Sequence, residues 1–298
     1  MKSRITAWIV GAIVLALLTF ASWRSGQAWA AQRHYDLPSE LSLTLSNSDR
    51  IIAQLRHALK NRSWRVTLTF PTEHEIDDMP ALVAALMDCA VAETDDPCEG
   101  DYLLYQYGGY ELRYSRTDGV YTVSILPGYY TTAEEEAAVT EALAALPPLY
   151  PPDADEAARV RAVCTFICET ADFDAVHRDH PNWHIKSTAY GALIRRSAAC
   201  QGYAVLAYRM LREAGIGARV ITGTAYNETT GAEERHAWDL VQIGGYWYHL
   251  DLTWMDQQGT EDWYLKTDAD FPYHRRDPQF ADEAFYAAYP MAVDPISP

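Results

Sequence analysis

Positive charge is scarce in this chain. Twenty-four Lys and Arg face 41 Asp and Glu, a net charge of −17. That balance argues against nucleic acid or an anionic membrane face as a partner, since both attract cations. It fits a solvated acidic surface, with steering of basic substrates as the sharper alternative. Internal repeats and low-complexity tracts are missing, which excludes repeat architectures. Cysteines number five, an odd count that cannot pair completely. What is present is ordinary for a globular protein with a real core: 49% hydrophobic and 12% aromatic residues in a chain of 298, long enough for one large domain or two smaller ones.

One long apolar run stands at the N-terminus. Lys2 and Arg4 form a basic lead, residues 5–21 are nearly all apolar, and Ala28-Trp29-Ala30 has the small-x-small pattern of a signal cleavage site. Two readings stay open: a signal peptide over 1–30, or an uncleaved signal anchor through residues 5–23 that would tie the chain to the membrane. Both put residues 31–298 outside the cytoplasm, because the basic end precedes the apolar run. In an oxidising compartment Cys89 and Cys98, flanking the polar turn 93–97, are the best disulfide candidate. Cys164 and Cys168 share a helix face at i, i+4, a poor geometry for a bridge, and read as two buried thiols. Cys200 is left over, pointing to a partner chain or a reactive thiol.

Punctuation divides the rest. Residues 31–47 read as a linker. Residues 48–146 read as a small α+β domain: a helix from Ser48 to about 58, a strand over 64–70, a helix over 76–91, strands over 102–107 with 110–115 and over 120–126, and a helix from 133 to 146 capped by Thr132. Nothing in it reads as catalytic. Four prolines among residues 147–152 make 147–154 a stiff linker. A second domain over 155–288 begins with a helix to 171, with Val160, Val163, Cys164, Ile167 and Cys168 on its buried face. The remaining 289–298 read as a tail. A helix runs from Cys200 to 214 and stops at Gly215, a strand covers 219–226, and residues 236–243 and 246–254 form a hairpin about Gly244-Gly245.

Three side chains in this second domain make a chemical set. Cys200 opens its helix, where the dipole favours thiolate and first-turn N–H groups are free to hold an oxyanion. The two-residue turn fixes the hairpin register, so Trp238 faces Asp251 and His236 faces Thr253. His236 and Asp251 then share a face as diagonal neighbours, within reach of a hydrogen bond provided no bulge intervenes. Thiol, imidazole and carboxylate are the parts of an activated cysteine nucleophile: Cys200 attacks, His236 moves the proton, Asp251 orients the ring. Each residue alone reads more simply as core or turn; the set carries the argument.

The flanks add a resemblance. Thr188-Ala189-Tyr190-Gly191-Ala192-Leu193, Cys200-Gln201-Gly202-Tyr203-Ala204, Gly215-Ile216, Gly223, His236-Ala237-Trp238 and Trp247-Tyr248-His249-Leu250-Asp251-Leu252-Thr253-Trp254 resemble the transglutaminase-like superfamily, most of all its exported bacterial members. The resemblance covers roughly residues 155–270. It implies an α+β fold with a papain-like core, a nucleophile helix packed on an antiparallel sheet, here preceded by the small α+β domain and the signal segment. Tyr264-Leu265-Lys266-Thr267-Asp268 resembles a closing motif of those members, whereas Phe173-Asp174 stands where they often have Tyr-Asp. The calcium-site and β-sandwich regions of animal transglutaminases have no counterpart, so calcium activation is not implied and no cofactor is expected. Related enzymes use an upstream side chain as second oxyanion donor; Trp183 and Tyr190 are the nearby options.

His177, His180 and His184 crowd one loop with Asp172, Asp174 and Asp179, but their spacing matches no named metal motif; the reading is a solvated loop, with no metal. The aromatics Tyr246, Trp247, Tyr248, Trp254, Trp263 and Tyr264 read as cross-strand packing before they read as a substrate groove. The expected activity is exported acyl transfer on peptide or glutamine amides through a thioester, resolved by water or by an amine, with a peptide or protein substrate at the cell wall. The alternatives are a non-catalytic binding module of the cell envelope that keeps the fold, and a surface protein whose Cys200 forms an intermolecular disulfide.

Overall fold

The computed structural model describes residues 45–174, 183–227 and 231–296. The signal segment, nearly all of the 31–47 linker, and His177, Asp179 and His180 lie outside the described residues. Among the described residues, no helix is long and apolar enough to cross a membrane.

The first part of the chain is a three-stranded antiparallel sheet covered by helices. Helix α1 (Leu45–Lys60) packs beside α2 (Met79–Ala90). Strands β1 (Val66–Pro71), β2 (Tyr107–Thr117) and β3 (Val120–Tyr129) lie in the order β1-β3-β2. Ser48, expected as a cap, falls inside α1. Asp78 caps α2 by accepting from the Ala81 N–H, and Pro80 sits in its first turn, where the missing N–H costs nothing. Thr132 and Glu135 form a capping box at α4 (Ala133–Ala144).

Residues 102–105, expected as the start of a strand over 102–107, belong instead to the short helix α3 (Asp101–Tyr105), with all five of its residues buried. Tertiary contacts override the aromatic β-propensity. The Asp101 carboxylate accepts from Arg219 Nε and from the Val220 N–H, both at 2.8 Å, and the Tyr105 hydroxyl donates to the Val220 carbonyl at 3.2 Å.

The disulfide expected between Cys89 and Cys98 is not formed; both are free thiols. Helix α1 holds both the end of α2, where Arg56 donates to the Cys89 and Ala90 carbonyls at 2.8 and 3.0 Å, and the loop carrying Cys98. Lys60 pairs with Asp96 and Glu99, Thr94 donates to Glu99 at 2.8 Å, and the Asp96 carboxylate accepts from the Cys98 N–H at 2.8 Å.

The second part begins with α5 (Glu156–Thr170), capped by Asp155. A two-residue parallel pair, β4 (Asp172–Phe173) with β5 (Ser197–Ala198), brackets α6 (Trp183–Lys186) and α7 (Ala189–Leu193). Then come α8 (Cys200–Glu213), β6 (Ala218–Asn227), β7 (Ala232–Ile243), β8 (Tyr246–Leu250), α9 (Leu252–Gln258), β9 (His274–Arg276) and α10 (Glu283–Ala288). The antiparallel sheet has the order β8-β7-β6-β9. This is an α+β fold in which the α8 helix packs on β7 and β6.

Strand alternation gives the sheet two faces. Val220, Ala237 and Val241 turn to α8, while Ile221, Trp238 and Leu240 join a second, aromatic cluster with Trp263, Phe271, Phe280 and Phe285. The first cluster runs without a break across the proline-rich segment. It includes Leu55 and Leu59 of α1, Val123 of β3, and Tyr203 and Leu206 of α8. The expected C-terminal tail is docked: the Pro290 carbonyl accepts from the Trp247 N–H and the Ala292 N–H donates to the Trp247 carbonyl, both at 2.9 Å.

The three-residue β9 strand lies close against β6, and Gly223 makes that possible. A Cβ there would stand 2.0 Å from the Arg275 carbonyl oxygen and 2.9 Å from the Trp238 ring. Gly223→Ala should push β9 off the sheet edge and cost about 2 kcal/mol or more, since overlap with backbone cannot be relieved by a rotamer change. Thermal unfolding should show the drop; a variant as stable as wild type would contradict this packing.

Candidate active site

The first turn of α8 is held from several sides. Its apolar side chains, Tyr203, Leu206, Ala207, Met210 and Leu211, recur at helical spacing and are buried. No side chain caps it; Ala199 occupies the N-cap, and its N–H donates to the Lys186 carbonyl at 2.9 Å. Gly202 allows this approach, because a Cβ there would meet the Lys186 carbonyl oxygen at 2.4 Å. Gln201 then clamps the turn, with Nε2 donating to the Tyr105 carbonyl at 2.7 Å and to that of Ser187 at 3.2 Å. The N-terminal part of the chain, which shows no catalytic signal in sequence, thus braces the residue next to Cys200 through α3.

Cys200 itself stays partly open to solvent. Burial acts to raise its thiol pKa; the hydrogen bond and charge of His236 and the Ala237 N–H outweigh this and bring it below its ordinary value. His236 lies opposite Gly223, its side chain 8% exposed. Burial acts to lower the imidazole, but the charge and hydrogen bond of Asp251 and the contact with Cys200 push it up to about 10.

Hairpin register brings the carboxylate to this ring. Ile243 pairs with Tyr246 and Asp239 with Leu250, the ladder expected from a two-residue turn. The strand expected to reach 254 stops at Leu250, because Asp251 caps α9: its Oδ1 accepts from the Trp254 N–H at 3.1 Å. Oδ2 accepts from His236 Nε2 at 2.7 Å. The carboxyl is fully buried, which alone would favour the neutral acid, yet His236 and His274 hold it well below the usual carboxylate range.

His274 is the partner that sequence reasoning missed. From β9, its Nε2 meets the same Oδ2 at 3.0 Å, and its side chain is 1% exposed. A lone histidine after Phe271-Pro272-Tyr273 has no periodic signal, and β9 is too short to announce itself. The polar atoms of His236, Asp251 and His274 lie within 4.8 Å of one another; separations of 2.7 and 3.0 Å are those of N–H donors on a carboxylate.

Behind them, Trp238 Nε1 donates to His249 Nδ1 at 2.9 Å, and His249 Nε2 donates to Asp268 of the 264–268 motif at 2.8 Å. The His249 ring also stacks on Phe271, centroids 4.2 Å apart.

Trp183 and Tyr190, the expected oxyanion options, lie on α6 and α7, ahead of α8. Tyr190, on α7, packs under Arg195, with the guanidinium 5.6 Å from the ring centre. Trp183 opens α6, and its carbonyl accepts from the Ser187 hydroxyl at 3.2 Å. Of the His/Asp loop, Asp174 pairs with Lys186 and His184 stacks on Tyr130 with centroids 4.7 Å apart.

Residues 148–252 match the model of a family described as the Transglutaminase-like superfamily. Among curated proteins, the "Kyphoscoliosis peptidase" of Homo sapiens is 33% identical over 103 residues and that of Mus musculus 32% over the same length. Each match covers 32% of this chain and 15% of the relative, so the chain spans only a small part of these proteins' length. Among solved structures, one described as a TGase is similar over 66% of this chain and 56% of its own, at 15% identity and a TM-score of 0.30.

The buried His249 gives the fold an acid limit. Burial lowers it to about 4, against a donor bond to Asp268 that acts to raise it. Its folded value lies below its unfolded value of roughly 6.5, so the unfolded chain binds the extra proton. The stabilisation is present above about pH 6.5 and is lost as pH falls towards 4, at about 1.4 kcal/mol per pH unit. Denaturant unfolding between these limits should lose that slope in His249→Gln; an unchanged slope would assign the acid limit to other groups.

Proposed function

With residues 148–252 a domain of the transglutaminase-like superfamily, we propose that the chain is an exported cysteine enzyme that transfers the acyl group of a peptide or glutamine amide through a thioester on Cys200. The observation that carries this reading is the chain of contacts from a partly open thiol at a helix N-terminus, through His236, to a buried carboxylate 2.7 Å behind it. A thiolate beside an imidazolium suits nucleophilic attack at neutral pH, where the amide's own leaving group is poor.

The steps balance with these residues alone. The Cys200 thiolate attacks the carbonyl carbon and the carbonyl π electrons move to oxygen. The Cys200 N–H, which precedes the first intrahelical bond of α8, is the oxyanion donor we assign. Collapse of the intermediate expels the amine, which takes the proton from His236 and leaves a thioester. His236, now neutral, takes a proton from water or from a second amine; attack of that nucleophile releases acid or new amide and restores the thiolate. Asp251 holds the ring and supports its charged form throughout. The name of the mammalian relatives, a peptidase, favours water as the second nucleophile and a peptide or protein as the substrate.

The test is direct. The full chain is treated with chloroacetamide at pH 7 and each cysteine-bearing peptide is followed by mass spectrometry. Cys200 should label first, and His236→Ala should slow it by about a hundredfold. Equal labelling of wild type and His236→Ala would leave the non-catalytic binding module as the better reading. Amine incorporation into casein against peptide hydrolysis, with Cys200→Ala as the blank, then decides between amine and water.

A further inference from the structure

Asp251 Oδ2 accepts from two imidazoles, of which only His236 has a place in the steps above. The second, His274, is built in with as much care. Its Nδ1 lies 3.0 Å from the Pro272 carbonyl oxygen and its Nε2 lies 3.0 Å from the Asp251 carboxylate. Both partners only accept hydrogen bonds, so both ring nitrogens must donate, and an imidazole does that only as the imidazolium. The ring is enclosed by Phe271 at 4.0 Å, Trp254 at 4.4 Å, Trp238 at 5.1 Å and Trp263 at 5.4 Å between centroids. Aromatic faces suit a buried cation. The backbone is bent to deliver it: Tyr273, the residue just before it, has φ +70, a left-handed conformation unfavourable for a bulky side chain, and Gly223 removes the Cβ that would keep β9 away.

We propose that His274 is a positioning residue of the candidate active site: a buried imidazolium that fixes the Asp251 carboxylate against His236 and shares its negative charge, limiting how firmly that carboxylate holds the His236 proton. The proposal rests on the acyl-transfer reading for its consequence, though the protonation of His274 can be tested without it. Two cations then flank one anion, and with the Cys200 thiolate the cluster is neutral overall, an arrangement that a buried site tolerates better than a net charge. Chemically, His236 must hold its proton while the thiolate attacks and then give it to the leaving amine. A carboxylate serving one imidazole alone would grip that proton harder.

Titratable groups face His274 from three elements. Asp251 faces it from the N-cap of α9, His236 from β7 at 5.5 Å between centroids, and His249 from β8, where the His274 charge acts to lower it. On β9 itself, Arg275 is paired with Glu233 and Arg276 with Asp268. Asp251 is thus the one carboxylate hydrogen-bonded to the His274 ring among the described residues.

His274→Gln keeps an N–H for Asp251 and removes the charge. Two measurements on the full chain test the idea. First, the pH dependence of Cys200 alkylation by chloroacetamide gives the midpoint of thiolate formation. Removal of a nearby cation should raise that midpoint by about half to one pH unit; a His274 that only packs would leave it unmoved. Second, ring ¹⁵N resonances of the wild-type histidines, assigned by the signal lost in His274→Gln, should show two protonated nitrogens on His274 at pH 7. An unshifted midpoint in the folded variant, or a neutral His274 ring with one bare nitrogen, overturns the proposal. If the variant does not fold, the wild-type resonances decide alone. If wild-type Cys200 is no more reactive than the other thiols, the acyl-transfer reading fails, and the resonances still report on His274.

Discussion

One carboxylate organises the candidate site. Asp251 is fully buried, and its two oxygens divide the bonding between them. Oδ1 starts α9 at the Trp254 N–H, and Oδ2 receives His236 and His274. Strand end, helix start and the orientation of the candidate base are therefore one event in the chain. A buried anion of this kind persists only when its hydrogen bonds are complete. Replacing Asp251 by a neutral isostere would therefore disturb local structure and chemistry together, and activity loss alone could not separate them.

The thiol is positioned by a different set of contacts. The first turn of α8 is seated on Lys186 through the bare Cα of Gly202 and clamped by Gln201 to the Tyr105 and Ser187 carbonyls. Buried side-chain amides at such clamps are costly to leave unpaired. The two halves of the site thus arrive on separate supports. His236 and Asp251 come from a hairpin and its exit, and Cys200 comes from a helix pinned to α3 and to the 186–188 turn. Ala237, whose N–H reaches the thiol, joins the supports at the sheet.

Much of this was legible in the chain, for reasons tied to particular residues. Gly244-Gly245 sets the hairpin register by local turn chemistry as far as Asp239 and Leu250, but the expected pairs Trp238–Asp251 and His236–Thr253 are not formed, and Asp251 reaches His236 as the cap of α9. Helical spacing after Cys200 marks α8 equally well. Long-range contact was not legible. Tyr102-Leu103-Leu104-Tyr105 reads as a strand by propensity, but Asp101 and Tyr105 bond to β6 across more than a hundred residues and the segment turns into a short helix. Cys89 and Cys98 are close in sequence, yet Lys60 draws the intervening loop to α1. His274 depends on a three-residue strand and a glycine about fifty residues away, and neither leaves a periodic trace.

Gln201's bond to the Tyr105 carbonyl bears on how such a domain can be cut and moved. The recognisable family segment, 148–252, contains Cys200, His236 and Asp251. It leaves out Tyr105, which anchors the helix that Cys200 opens, and His274, which closes on the carboxylate. A fragment trimmed to the matched boundaries would carry Cys200, His236 and Asp251 and lose both of their outside supports. For this chain, the portable unit is larger than the recognisable one.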